Sequence, residues 1–109
     1  MNTNRLDLIA DHAIQYFGTR NQKIKAIEEL SELIQALAKE ISFRPPGSHE
    51  DSFKYTGFNT MEEIADCIVI LHQLRFIYGP HKIDDLIEFK IDRLEKRMKD
   101  VTHTDKGNK

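Results

Sequence analysis

Apolar residues recur along this chain at intervals of three and four, and the recurrence falls into four stretches. Leu6, Ile9, Ala10, Ala13, Ile14 and Phe17 make one helical stripe, which predicts a first helix over Asn4 to Phe17. Thr3 or Asn4 suits its N-cap and Gly18 its end. His12 and Tyr16 sit one turn apart at the stripe's edge, where they could approach a nucleobase, although polar-tipped residues in such a place are usually surface. A second helix is predicted from Asn21 to Ile41. Ile27, Leu30, Ile34, Leu37 and Ile41 form a narrow seam there, suited to an antiparallel neighbour.

The third stretch runs from Thr60, an N-cap with Glu63 at the capping-box position, to Tyr78. Met61, Ile64, Ile68 and Leu71 form its stripe. Val69, Ile70, Phe76 and Ile77 carry apolar character round much of the remaining circumference, which predicts a helix buried on most sides. Gly79-Pro80 breaks the chain, and the fourth helix spans His81 to Val101 on Ile83, Ile87, Ile91, Leu94, Met98 and Val101. The pattern therefore predicts an all-α fold, one four-helix domain over residues 1–101, with a polar tail at 102–109 that frays. Ser42 to Asn59 reads as a long connection holding Arg44, Phe53, Lys54, Tyr55 and Phe58. Connections of that length are often functional, although Phe43, Phe53 and Phe58 are expected to pin it to the bundle.

Composition narrows the class. With 109 residues, 39% hydrophobic and 31% charged, the chain suits one helix-rich soluble domain with a thin core. A net charge of −2 gives no general attraction to nucleic acid or anionic membrane. The lone Cys67 excludes an internal disulfide, and no Cys/His spacing resembles a zinc site. There is no apolar signal core and no run of membrane-spanning length, so a cytoplasmic location is the expectation.

Candidate chemistry lies in two acidic clusters, Glu28-Glu29-Leu30-Ser31-Glu32 and Glu62-Glu63-Ile64-Ala65-Asp66. Each sets carboxylates three apart, so each pair shares a helix surface. Glu29 and Glu32 fall opposite the seam of the second helix, alongside Lys25 and Ala36, and alone they read as a solvated face. Glu63 and Asp66 share the side of Ile70 and Ile77, which predicts that they enter a covered region. Burying unpaired carboxylates costs far more than a surface ion pair returns, so a positive partner is expected, and a hard divalent cation suits an all-oxygen donor set. Glu62 and Glu63 could instead serve only the helix N-terminus, which leaves Asp66, a full turn in, without a reason. Lys90, Arg93 and Arg97 line one edge of the fourth helix and could bind phosphate through charge-assisted hydrogen bonds or be ordinary solvated surface.

These residues carry a resemblance. Glu28-Glu29-x-x-Glu32 followed by Glu63-x-x-Asp66 resembles the signature of the all-α, MazG-like nucleoside triphosphate pyrophosphohydrolases. The surrounding Gln22 to Leu33, Glu62 to Cys67 and Glu88 to Leu94 are similar to small members of that group, and the likeness covers about Gln22 to Met98. The spacer between the clusters is longer than the group's. The resemblance implies a helical bundle completed by oligomerisation, a homodimer or homotetramer, hydrolysing a nucleoside triphosphate to monophosphate and pyrophosphate. It implies Mg²⁺, with Mn²⁺ as substitute, held by Glu29, Glu32, Glu63 and Asp66, with Glu28 as an outer or alternate ligand. It leaves Lys25, Lys90, Arg93 and Arg97 as candidates for the substrate's phosphates. Two other readings stand beside it, a phosphoribosyl-ATP pyrophosphohydrolase-like enzyme and a non-catalytic acidic helical interaction module.

Overall fold

A computed structural model describes the backbone of residues 3–42 and 51–107, and the side chains of 4–42 and 57–101. Four helices and no strands occur among the described residues: α1 (Thr3–Phe17), α2 (Thr19–Ser42), α3 (Asp51–Tyr78) and α4 (Pro80–Gly107). The chain divides into two compact units, Met1–Ile77 and Tyr78–Lys109.

In the first unit, α1 and α2 are separated by Gly18 alone, at φ +91°. Its N–H donates to the Ile14 carbonyl at 2.8 Å, while its own carbonyl accepts from the Gln22 N–H at 3.1 Å. One residue therefore closes one helix and opens the next, and the positive φ is what requires glycine. A Cβ at Gly18 would meet nothing within 4 Å, so Gly18→Ala isolates the backbone term. Urea denaturation is expected to show a loss of about 1–2 kcal/mol, the penalty of a left-handed L-residue; unchanged stability would show that the junction relaxes freely. In the second unit Gly79, at φ +116°, and Pro80 at the first position of α4 repeat the stop-and-start in its usual form.

α2 and α3 run antiparallel, as three hydrogen bonds at opposite ends of the sequence show. Gln22 Nε2 donates to Gln73 Oε1 at 2.5 Å, the Cys67 thiol donates to the Glu29 carbonyl at 3.3 Å, and Thr60 Oγ1 donates to Glu40 Oε2 at 2.8 Å. α1 is tied to α3 by Asp7, whose carboxylate accepts from Arg75 Nη1 at 3.1 Å and lies 3.3 Å from His72 Nδ1.

The faces in contact are not those the apolar pattern indicates. α2 buries Gln22, Ala26, Glu29 and Ala36, whereas the seam residues Ile27, Ile34, Leu37 and Ile41 are exposed. α3 buries Gly57, Thr60, Cys67, Ile70 and Gln73 at steps of three and seven, with Met61, Ile64, Ile68 and Leu71 facing out. Among the residues buried along these three bonds, Ala26 and Ala36 on α2 and Cys67 on α3 are small, and small side chains let helices approach closely. Apart from Ile70, the large aliphatic side chains named here are on the outer surface.

α3 also begins at Asp51 rather than Thr60. Thr60 is thus interior to the helix, not an N-cap, and Glu62 and Glu63 lie well beyond the first turn, where the helix dipole no longer accounts for them. Phe58 is exposed and pins nothing. Phe43 and Arg44, and the side chains of Phe53, Lys54 and Tyr55, lie outside the described residues.

Candidate metal centre

The antiparallel pairing brings the two acidic clusters face to face. Glu29 and Glu32, three apart on α2, meet Glu63 on α3, and one carboxylate oxygen from each lies within 4.8 Å of the others. Glu29 is 8% exposed; Glu63 is partly covered and Glu32 is open to solvent. Glu29 Oε1 is held by Lys25 Nζ at 3.0 Å, a bond that, together with the Glu29 charge, raises the Lys25 pKa. The second oxygens, Glu29 Oε2 and Glu63 Oε2, are buried with no hydrogen-bond partner.

Buried carboxylate oxygens without donors are rare because each loses its hydration without replacement. The cost shows at Glu63. Burial pushes its pKa up, and the Glu32 charge, a hydrogen bond to Glu32, and the Asp66 and Glu29 charges push it further. Burial likewise pushes the Cys67 thiol up, followed by the Glu29, Glu63, Asp66 and Glu32 charges. Four carboxylates thus bear on one small volume in which Lys25 is the cation paired to Glu29. An oxygen-only donor set of this charge fits a hard divalent cation such as Mg²⁺ or Mn²⁺, and the two orphaned oxygens are the atoms such an ion would satisfy.

Asp66 stands one turn along α3 from Glu63, exposed, beside the three-carboxylate group rather than within it. With Lys25 and Glu29 it lines an adjoining cleft of about 180 Å³, walled by Val69 and Ile70 and floored by Gln22 and Gln73. Glu28 is exposed, 4.0 Å from Lys25. Lys90, Arg93 and Arg97 are exposed on α4 in the second unit, where the Arg93 guanidinium lies 6.0 Å from the Phe89 ring centroid. The sequence reading did not single out Gln22 and Gln73. The available signal was their register, since Gln22 is two turns from Glu29 and Gln73 two turns from Asp66.

The raised Glu63 pKa sets a sign for the metal-free protein. Folded Glu63 keeps its proton above the ordinary glutamate value of 4.5, whereas the unfolded chain releases it there. Between those two pKa values the folded state binds more protons, so this group's contribution is full below the lower value and is lost as pH rises through the window. Urea titrations across that range should show the Glu63→Gln variant losing less stability with rising pH than the parent. A parallel slope in the two proteins would contradict the assignment.

No family model, curated protein or solved structure matches the chain. Among the described residues, no helix is long and apolar enough to cross a membrane.

Proposed function

We propose that the chain is a Mg²⁺-dependent nucleoside triphosphate pyrophosphohydrolase of the MazG-like, all-α kind, releasing a nucleoside monophosphate and pyrophosphate. The observation that carries this reading is the pair of buried, unpartnered oxygens, Glu29 Oε2 and Glu63 Oε2, within a three-carboxylate group. In it Glu29, Glu32 and Glu63 hold the ion, with Asp66 joining from the rim. An ion held there would supply neutralisation of phosphate charge and a water of lowered pKa for attack on phosphorus. A carboxylate of the cluster orients that water and accepts its proton. Lys25, tethered to Glu29 Oε1 yet half in solvent, is placed to meet a phosphate oxygen. Glu28, beside Lys25, keeps that ammonium on the cluster's side.

The outward apolar rows of α2 and α3 support a homodimer or homotetramer, because exposed patches of this extent mark interfaces. The deciding experiment is a pyrophosphate-release screen over the common ribo- and deoxyribonucleoside triphosphates, with Mg²⁺, with Mn²⁺ and without metal, beside calorimetric titration of each ion. Metal-dependent pyrophosphate release from at least one triphosphate is the expected result. No release and no metal binding would favour an acidic helical interaction module instead.

A further inference from the structure

The cleft beside the carboxylates has a floor that metal binding does not use. Gln22 and Gln73 are 7% and 6% exposed, and they share one hydrogen bond, from Gln22 Nε2 to Gln73 Oε1. A primary amide carries two N–H donors and a carbonyl with two lone pairs. One bond between two amides therefore leaves the Gln22 carbonyl as an acceptor and the Gln73 N–H as a donor. Exchanging oxygen and nitrogen in both amides reverses the roles and leaves the same complement, so it does not depend on how the amides are assigned. Both side chains line the cleft, and Val69 and Ile70 give it an apolar wall.

The register supplies a length. From Gln22 to Glu29 on α2, and from Gln73 to Asp66 on α3, the separation is two turns on one face, roughly 10.5 Å along each axis. A sugar fits in that interval, between a ring on the glutamines and phosphates at the carboxylates. The cleft, at about 180 Å³ over the whole run from the glutamines to Glu29 and Asp66, is smaller than the roughly 300–1,000 Å³ of drug-sized sites, which favours a one-ring base over a two-ring one.

We infer that Gln22 and Gln73 form a base-reading subsite that takes the pairing edge of a pyrimidine nucleotide, with Val69 and Ile70 against its face. Every base edge that pairs sets a donor beside an acceptor and so can answer the amide pair, as in enzymes that read an extruded base; the small cleft is what favours the single ring of cytosine or uracil. This inference rests on the hydrolase reading for its phosphate end, and on the cleft alone for its base end.

The test separates the two ends. The full chain, free of metal, is titrated with cytidine, uridine, adenosine and guanosine while the Gln22 and Gln73 side-chain amide signals are followed by NMR. Saturable shifts with a pyrimidine nucleoside, weakened in Gln73→Met, are expected. That variant keeps side-chain volume while removing the amide's carbonyl and NH2 alike, and circular dichroism checks its fold. In turnover, Gln73→Met and Gln22→Met should lower kcat/KM for the preferred pyrimidine triphosphate on the order of tenfold to hundredfold. Mg²⁺ binding and cleavage of base-free tripolyphosphate should be unchanged. Shifts without any triphosphate cleavage would retain the subsite and remove the hydrolase. Cleavage without shifts, or equal losses on every base and on tripolyphosphate, would remove the subsite and retain the hydrolase. Shifts confined to purines would overturn the pyrimidine assignment.

Discussion

Glu29→Gln and Glu32→Gln are each expected to lower Mg²⁺-dependent pyrophosphate release on the order of a thousandfold, with the helical content unchanged. The amide keeps the shape of the side chain and removes the charge that an ion requires, and on the proposed reading that ion would supply several kcal/mol of charge stabilisation. Glu29 is the more informative position. Its Oε1 is bonded to Lys25 and its Oε2 is buried without a partner, so Glu29→Gln gives Oε2's position an amide and weakens the lysine's anchor together. Thermal melting supplies a second readout. The parent should gain stability with Mg²⁺ by mass action, about 1.4 kcal/mol at ten times the dissociation constant. Both variants should gain much less. Full turnover in either, or an undiminished Mg²⁺ shift, would remove the carboxylates from the chemistry.

The second large effect concerns assembly. Ile34 and Ile64 are 67% and 43% exposed, within rows that include Ile27, Leu37 and Ile41 on α2 and Met61, Ile68 and Leu71 on α3. If a second copy covers these rows, each buried isoleucine contributes about 1.5–3 kcal/mol, and two-fold symmetry counts every substitution twice. Ile34→Asp should therefore raise the dimer dissociation constant by a factor of about 10²–10⁴, more once the buried charge is added. Sedimentation equilibrium at micromolar protein should find a dimer or larger for the parent and a shift towards monomer for Ile34→Asp and Ile68→Asp. A parent that is monomeric, or variants that associate like it, would contradict the interface.

The reading of the sequence succeeded where a residue's local chemistry has few alternatives. Gly18 and Gly79-Pro80 mark helix ends because positive φ and a missing N–H tolerate little else, and α1 ends at Phe17 as the stripe indicates. The confluence of Glu29, Glu32 and Glu63 followed from carboxylates three apart on two helices. The inner face of α2 did not follow. A periodicity argument turns the largest apolar side chains towards the nearest neighbour, but Ala26 and Ala36 give a weak hydrophobic signal while permitting the closest approach. Ile27, Ile34 and Ile41 signal strongly and face outward in a single copy. The early start of α3 was hidden for a related reason. Asp51 to Asn59 carries Gly57, costing about 1 kcal/mol of helix propensity, and no apolar stripe, so the local pattern gives no helix signal there. Gln22 and Gln73 escaped notice because buried polar residues have no periodic signature of their own.

The Cys67 thiol, donating to the Glu29 carbonyl between α2 and α3, makes the seam chemically self-reporting. Alkylating reagents attack the thiolate, and here the thiol is both buried and held protonated by its surroundings. Modification must wait until the two helices part. As the sole cysteine in the chain, it keeps time for that opening alone. The rate at which a thiol reagent consumes the protein thus measures how often the carboxylate cluster comes apart, and any ion or nucleotide that closes the seam would slow the clock.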